Sequence, residues 1–132
     1  MSNTKLPGEL PGELPEVLQE LCSRLHRETN AEAVLVLSQE GEILGHAGSP
    51  GGLEEAMVEA IGDATVDSLA RASADPEADG QVCKVGGSQL CAAPLGTRAV
   101  LVVVFGDETS LGLVRLRMKR ARELILRSFE AT

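Results

Sequence analysis

Residues 97 to 122 read TRAVLVVVFGDETSLGLVRLRMKRAR and decide the fold of this 132-residue chain. The stretch opens with an unbroken apolar run, Ala99 to Phe105, and its length and β-branched content predict a strand buried on both faces. A polar turn follows at 106–108, and Thr109 or Ser110 can then cap a helix through its hydroxyl. Helical spacing of the next apolar residues predicts one buried face, formed by Val114, Met118, Ala121, Ile125 and Phe129.

The segments before this stretch supply the remaining elements of the fold. A first helix is predicted from Pro15 to about Asn30, with an apolar stripe at Leu18, Leu21, Cys22 and Leu25. Strands at 33–37 and 43–46 form a hairpin, and a flexible glycine-rich break follows at 45–52. A helix is then predicted at about 53–74 and an acidic loop at 74–80. Two further strands follow at 81–85 and 88–93. This order, α-β-β-α-β-β-β-α, predicts an α/β (α+β) domain in which helices cover both faces of a five-stranded, mostly antiparallel sheet.

The middle helix is apolar on more than one side. One face carries Leu53, Met57, Ala60, Ile61, Ala64 and Leu69, and part of another carries Val58, Gly62 and Val66. We therefore expect this helix to be covered by its own sheet and by a second surface.

The hairpin at 81–93 determines how the cysteines are placed. A two-residue turn at Gly86-Gly87 puts Cys83 opposite Leu90, with Cys91 on the other face. A three-residue loop would instead place Cys83 opposite Cys91. The first register is favoured because it keeps Cys83, Val85, Leu90 and Ala92 on one apolar face, which predicts reduced thiols.

The N-terminal segment, residues 1–14, is set apart from the single domain predicted at 15–132. It repeats the tetrad PGEL at 7–10 and 11–14, and its prolines and glycines predict a flexible segment. Two interpretations stand, a frayed terminus and a proline-rich docking arm.

Composition and charge exclude some partners. The net charge of −8 and an aromatic content of 2% argue against nucleic-acid binding. Residues 1–80 carry a net charge of −12 and residues 81–132 a net charge of +4, with six of the twelve bases in the last helix. That basic helix is either a solvated face or a docking surface for an acidic partner or membrane. Without a targeting or membrane-spanning pattern, we expect a cytoplasmic protein with no integral membrane association.

Catalytic patterns are absent from the sequence. The two histidines, His26 and His46, have no metal-ligand spacing to each other or to the cysteines. The glycine-rich stretch before the middle helix lacks the Gly-Lys-Ser/Thr of a phosphate loop, and Glu54 and Glu55 would repel an anion there. We expect no enzyme, no catalytic residues, no metal and no cofactor.

Three segments resemble the Roadblock/dynein-light-chain family. They are TRAVLVVVFGDETSLGLVRLRMKRA at 97–121, NAEAVLVLSQEGEILGHAG at 30–48 and, more weakly, AIGDATVDSLARA at 60–72. The first is typical of the MglB-like branch, bacterial partners of a Ras-like GTPase in cell polarity and gliding motility. The resemblance implies a Roadblock/profilin-like sandwich and a homodimer that activates GTP hydrolysis without an arginine finger. The alternative is a non-catalytic dimeric adaptor for other Roadblock or polarity proteins.

The same resemblance implies two sets of site residues on the middle helix. Dimer-interface candidates are Leu53, Met57, Ile61, Ala64 and Val66. GTPase-contact candidates, on the solvent side of the paired helices, are Glu54, Glu55, Val58, Glu59, Gly62 and Asp63.

Overall fold

The computed structural model describes residues 14–49, 53–75 and 80–130. Its elements are α1 (Leu14–Thr29), β1 (Ala33–Ser38), β2 (Ile43–Gly48), α2 (Glu55–Ala74), β3 (Gln81–Val85), β4 (Ser88–Leu95), β5 (Ala99–Phe105) and α3 (Leu111–Glu130). The predicted order of helices and strands is confirmed. Residues 1–13 of the predicted flexible segment and residues 76–79 of the acidic loop lie outside the described residues.

Strand β5 lies at the centre of a five-stranded sheet. The strand order is β2-β1-β5-β4-β3, and each pair of neighbours is antiparallel. Every residue of Ala99–Phe105 is buried, as the continuous apolar run predicts. Because side chains alternate along a strand, Leu101 and Val103 face one layer of helices while Val100 and Val102 face the other.

The two faces of the sheet are covered differently. Helices α1 and α3 pack together on one face, where their predicted apolar stripes are buried. Among the described elements, α2 is the one that packs on the other face, mainly over β3, β4 and β5. A single helix is about 10 Å wide with its side chains, so it cannot cover five strands spaced about 4.8 Å apart. One side of that face, over β1 and β2, is therefore left as a groove.

The β5–α3 connection shows which hydroxyl caps the last helix. Ser110 is the cap, because its side-chain oxygen accepts a hydrogen bond from the amide of Leu113 at 3.0 Å. Thr109 is buried and donates its hydroxyl to the carbonyl of Thr29 at 2.9 Å. The turn after the central strand is thereby tied to the end of α1.

Three strands are longer than the sequence predicts: β1 by one residue, at Ser38, and β2 and β4 by two residues each. Residues 45–48 belong to β2, so the expected flexible break is wrong there. Gly45 lets α1 approach closely, since a Cβ would lie 3.2 Å from the backbone of Leu18. Strand β4 continues through Pro94 to Leu95, beyond the last residue that pairs with β3, Ala92. Proline is tolerated at Pro94 because no strand there needs its missing N–H.

The predicted register of the second hairpin is confirmed. Cys83 lies opposite Leu90 and Val85 opposite Ser88, while Cys91 points towards α3. All three cysteines are free thiols.

A matched pair of leucines tests the central position of β5. Leu101 is fully buried, whereas Leu116 on α3 is 63% exposed. We expect Leu101→Ala to lower the free energy of unfolding by about 2–5 kcal/mol, because it leaves a cavity between packed layers. Leu116→Ala should change it by less than about 0.5 kcal/mol. Urea unfolding followed by circular dichroism measures both, and equal losses would contradict the assignment of the core.

Candidate functional site

The exposed face of α2 carries every predicted GTPase-contact residue. Glu54 precedes the helix as its N-cap, and all six candidate residues are exposed. Val58 is 53% exposed and Val66 is 71% exposed, which is high for apolar residues on a helix that packs on a sheet. Gly62 lies between them, and a Cβ placed there would have open space around it. This face therefore presents apolar and small side chains to solvent.

A groove runs along one flank of α2. It has a volume of about 440 Å³ and lies between the helix and the β1–β2 hairpin. Val58, Gly62 and Val66 form its helix side, and Leu35, Leu37 and Ile43 are among the residues on its hairpin side. Ile43 is 55% exposed. The groove is thus a mostly apolar surface that the described residues do not fill.

Acidic side chains run beside this groove. Glu55, Glu59, Asp63 and Asp67 follow one another at four-residue spacing and are all exposed. Like charges at this spacing destabilise an isolated helix by about 0.2–0.5 kcal/mol per pair. None of these four carboxylates forms an ion pair within 4.0 Å with a described side chain. The acidic row on α2 is therefore not neutralised by neighbouring side chains of the described protomer.

The predicted dimer-interface residues are divided by the structure. Met57, Ile61 and Ala64 are buried against the protomer's own sheet, and Leu53 packs partly against the same cluster. Val66 is on the exposed side, next to the groove. Helical periodicity indicated two apolar sides but did not show which side the sheet would cover, so an interface on α2 has to use its exposed flanks.

The two edges of the sheet differ in how they are protected. On β2, the Gln19 side chain of α1 donates to the carbonyl of His46 and accepts from its amide at 3.1 Å. Strand β3, at the other edge, has β4 as its one neighbour in the described sheet. Arg71 of α2 donates to the side-chain oxygen of Gln81 on β3 at 2.6 Å. One flank of α2 and the edge of β3 thus form a continuous surface.

Part of this site could not be found from the sequence. Leu35 and Leu37 were predicted as strand residues, and Ile43 as the start of the next strand, but they meet α2 at the groove only in the folded protein. Gln19 carried no signal at all, because its role depends on how α1 lies over β2. The acidic row, by contrast, is visible as a four-residue repeat in the sequence.

A second cleft, partly lined by polar residues, lies near the start of α2. Ser49 and Glu54 share a cleft with Glu32 and Ser88, which His46 does not line. No group of three or more His, Cys, Asp or Glu side chains among the described residues is placed to hold a metal ion. Burial raises the pKa of the Cys22 thiol to about 12. Burial also raises the pKa of Cys91 to about 11, which Arg115 opposes.

Within the described ranges, every helix is too short or too polar to cross a membrane.

Comparison with known proteins identifies the fold. No family model matches the chain, and neither does any curated protein. Among solved structures, it is similar to a Roadblock/LC7 domain from Streptomyces avermitilis, with a TM-score of 0.65, 17% identity and coverage of 87% of this chain and 98% of that one. With its five-stranded sheet between helices, the chain has the Roadblock/profilin-like fold.

Structures of MglB are similar to the chain at higher identity. Myxococcus xanthus MglB is 27% identical over 93% of this chain and 94% of its own, with a TM-score of 0.75. A structure described as MglB with tetrameric arrangement is 26% identical, covers 89% of this chain and 91% of its own, and has a TM-score of 0.68. The resemblance to MglB that the last strand, turn and helix indicated is thus confirmed, and it extends over most of the chain.

Alkylation tests the assignment of the three thiols. Cys83 is exposed, whereas Cys22 and Cys91 are buried with raised pKa values. We expect iodoacetamide to modify the native protein once, at Cys83, because the thiolate is the reactive form. Mass spectrometry should find no rapid adduct on native Cys83→Ser and three adducts on unfolded wild type. Rapid native modification of Cys22 would contradict the packing of α1.

Proposed function

We propose that this protein is a homodimeric regulator that binds a small Ras-like GTPase and promotes GTP hydrolysis by that partner. The observation that carries the proposal is the unfilled face of α2, an acidic row beside apolar residues on an MglB-like Roadblock domain. Such a face offers both charge and apolar area to another protein. The role assigned to the protein is regulatory, and the chemistry takes place in the GTPase.

The homodimer is supported by the edge of the sheet. An edge strand with unpaired backbone groups is a template for strand pairing. The β3 edge is continuous with the flank of α2 that carries Arg71, so two copies can pair strands and bring their α2 helices together in one step. An isologous contact of this kind closes as a dimer.

The GTPase contact is proposed on the exposed face of α2. Glu55, Glu59 and Asp63 can pair with basic side chains of the partner, while Val58 offers apolar surface. Gly62 allows close approach because it has no side chain. In a dimer two such faces lie near each other and form a platform wider than one helix.

The positions of Arg71 and Arg98 support one mode of activation. Arg71 is held by Gln81, and the Arg98 guanidinium lies 4.6 Å from the centre of the Phe129 ring. An arginine finger must reach the transferring phosphate from a mobile segment. We therefore assign activation to holding the catalytic residues of the GTPase in a competent arrangement, which is a shift in its conformational population.

Light scattering tests the oligomeric state. We expect a mass of two chains or more at micromolar concentration, because the β3 edge and the adjoining flank of α2 are otherwise exposed. Replacing Lys84 with proline should shift the mass towards one chain. Lys84 is in a non-hydrogen-bonded pair with Gln89, so its amide points out of the β3 edge, and proline removes that donor without removing a β3–β4 hydrogen bond. Wild type at the monomer mass would defeat this part of the proposal.

Charge reversal tests the GTPase surface. Glu55→Lys with Glu59→Lys should weaken binding to the cognate GTPase by at least about tenfold, because the acidic row loses its sign. Arg117→Glu with Arg120→Glu, on the opposite face of the domain, is the matched control and should not weaken binding. Titration calorimetry measures both. Weaker binding by the α3 variant, with unchanged binding by the α2 variant, would move the GTPase site to α3. If wild type binds the GTPase but does not change its GTP turnover, the alternative function as a non-catalytic adaptor is favoured.

Single alanine substitutions test the absence of an arginine finger. In a folded dimer, Arg71→Ala or Arg98→Ala should lower GTP turnover by the partner by less than tenfold, whereas loss of a true finger costs about 10³ to 10⁵. Single-turnover hydrolysis at saturating regulator separates turnover from binding. A loss near 10³ at either position, with binding intact, would show that this chain supplies catalytic charge.

A further inference from the structure

The described surface carries two patches of opposite chemistry on opposite faces of the sheet. The first, the α2 groove, is concave and apolar and is flanked by the acidic row Glu55, Glu59, Asp63 and Asp67. The second, the α3 ridge, is the solvent side of α3. Helical geometry places Leu116, Lys119, Arg120, Glu123 and Arg127 there, about half a turn from the buried stripe.

The α3 ridge matches the α2 groove in its apolar part. The described residues include four exposed large hydrophobic side chains, Ile43, Val58, Val66 and Leu116. Three of them line the groove, and the fourth projects from the middle of the ridge. A groove of about 440 Å³ has room for a leucine side chain and the aliphatic stems of the lysine or arginine beside it.

The charges of the two patches are also complementary. Helix α3 carries six basic side chains, and Glu123 is the acid among its described side chains. Lys119 and Arg120 are exposed and meet no described carboxylate within 4.0 Å. The acidic row on α2 is equally unpaired. Lys119 and Arg120 on α3 and the acidic row on α2 thus carry exposed charge of opposite sign.

We propose that the α2 groove binds the α3 ridge of a second copy of this chain. Leu116 enters the groove between α2 and the β1–β2 hairpin, and Lys119 and Arg120 pair with the acidic row. The contact joins two different surfaces, so it is heterologous, and a pair of copies joined in this way keeps one groove and one ridge free for further copies. It uses the groove side of α2, which leaves the β3 edge available for the proposed homodimer.

This contact would regulate access to α2. The acidic row belongs to the surface assigned above to the GTPase, so one groove cannot hold both an α3 ridge and the GTPase. Assembly through this contact would therefore store the protein in a form with its GTPase surface covered. The contact itself does not rest on the proposed function, because it is measured on the protein alone.

Sedimentation velocity of the full chain tests the contact. At low ionic strength, about 50 mM NaCl, we expect the weight-average sedimentation coefficient to rise with protein concentration. The rise should disappear at about 500 mM NaCl, where exposed charges are strongly screened. Leu116→Ser should reduce the rise at low salt, and this exposed substitution leaves the core intact. A rise in the sedimentation coefficient that changes neither with salt nor with Leu116→Ser would overturn the proposal.

Two charge-reversed variants make the test specific. Glu59→Lys with Asp63→Lys makes the groove side basic, and Lys119→Glu with Arg120→Glu makes the ridge acidic. For each variant alone, the sedimentation coefficient should not rise with concentration, since its groove and its ridge then carry charge of the same sign. In an equimolar mixture the rise should return, because the groove of each variant is opposite in charge to the ridge of the other. A mixture that stays at the basal size would refute the proposal.

A control and a competing occupant complete the experiment. Asp107→Lys with Glu108→Lys reverses two exposed acids after β5, at the end of the sheet away from the β1–β2 turn, and should assemble as wild type does. If this control does not assemble, net charge rather than the groove–ridge contact drives assembly, and the proposal is overturned. Wild type that does not grow, but binds phosphatidylglycerol vesicles through Lys119 and Arg120, would assign the ridge to anionic membranes instead.

Discussion

Burial of β5 on both faces is the constraint on which the rest of the structure depends. A strand without a polar face needs a packed layer on each side, and a sheet with five strands needs more than one helix to cover a face. Helices α1 and α3 supply one complete layer. Helix α2 supplies a partial layer on the other face, and the space beside it is the groove. The candidate site thus arises from the same packing that forms the core.

The distribution of charge has a second consequence. The acidic residues of α2 and the basic residues of α3 are separated by the thickness of the domain, so they do not neutralise each other within one protomer. Surface ion pairs contribute little to stability, about 0–1 kcal/mol each. This separation therefore costs the fold little, while it gives the two faces opposite preferences for partners. The exposed charges of α2 and α3 can therefore serve partner recognition without a large loss of stability.

Most of the fold could be predicted because its signals are local. The continuous apolar run of β5, the 3.6-residue periodicity of α1 and α3, and the Gly86-Gly87 turn that sets Cys83 opposite Leu90 all act over a few residues. The misjudged ends of β2 and β4 have a different cause. Gly48 and Pro94 are poor strand residues by local preference. Gly48 is required because a Cβ there would clash with the carbonyl oxygen of Glu32, and Pro94 is tolerated because the described pairing of β3 with β4 ends at Ala92.

The sequence by itself determined the order of the elements, the two-sided burial of β5, the acidic row on α2 and the basic character of α3. Each of these is written in the spacing of neighbouring residues. Tertiary structure alone decided that Met57, Ile61 and Ala64 face the protomer's own sheet while Val58 and Val66 stay exposed. It also decided that Leu35, Leu37 and Ile43 complete a groove with α2. The physical reason is that periodicity defines the faces of a helix, whereas the packing of distant segments determines which face is covered.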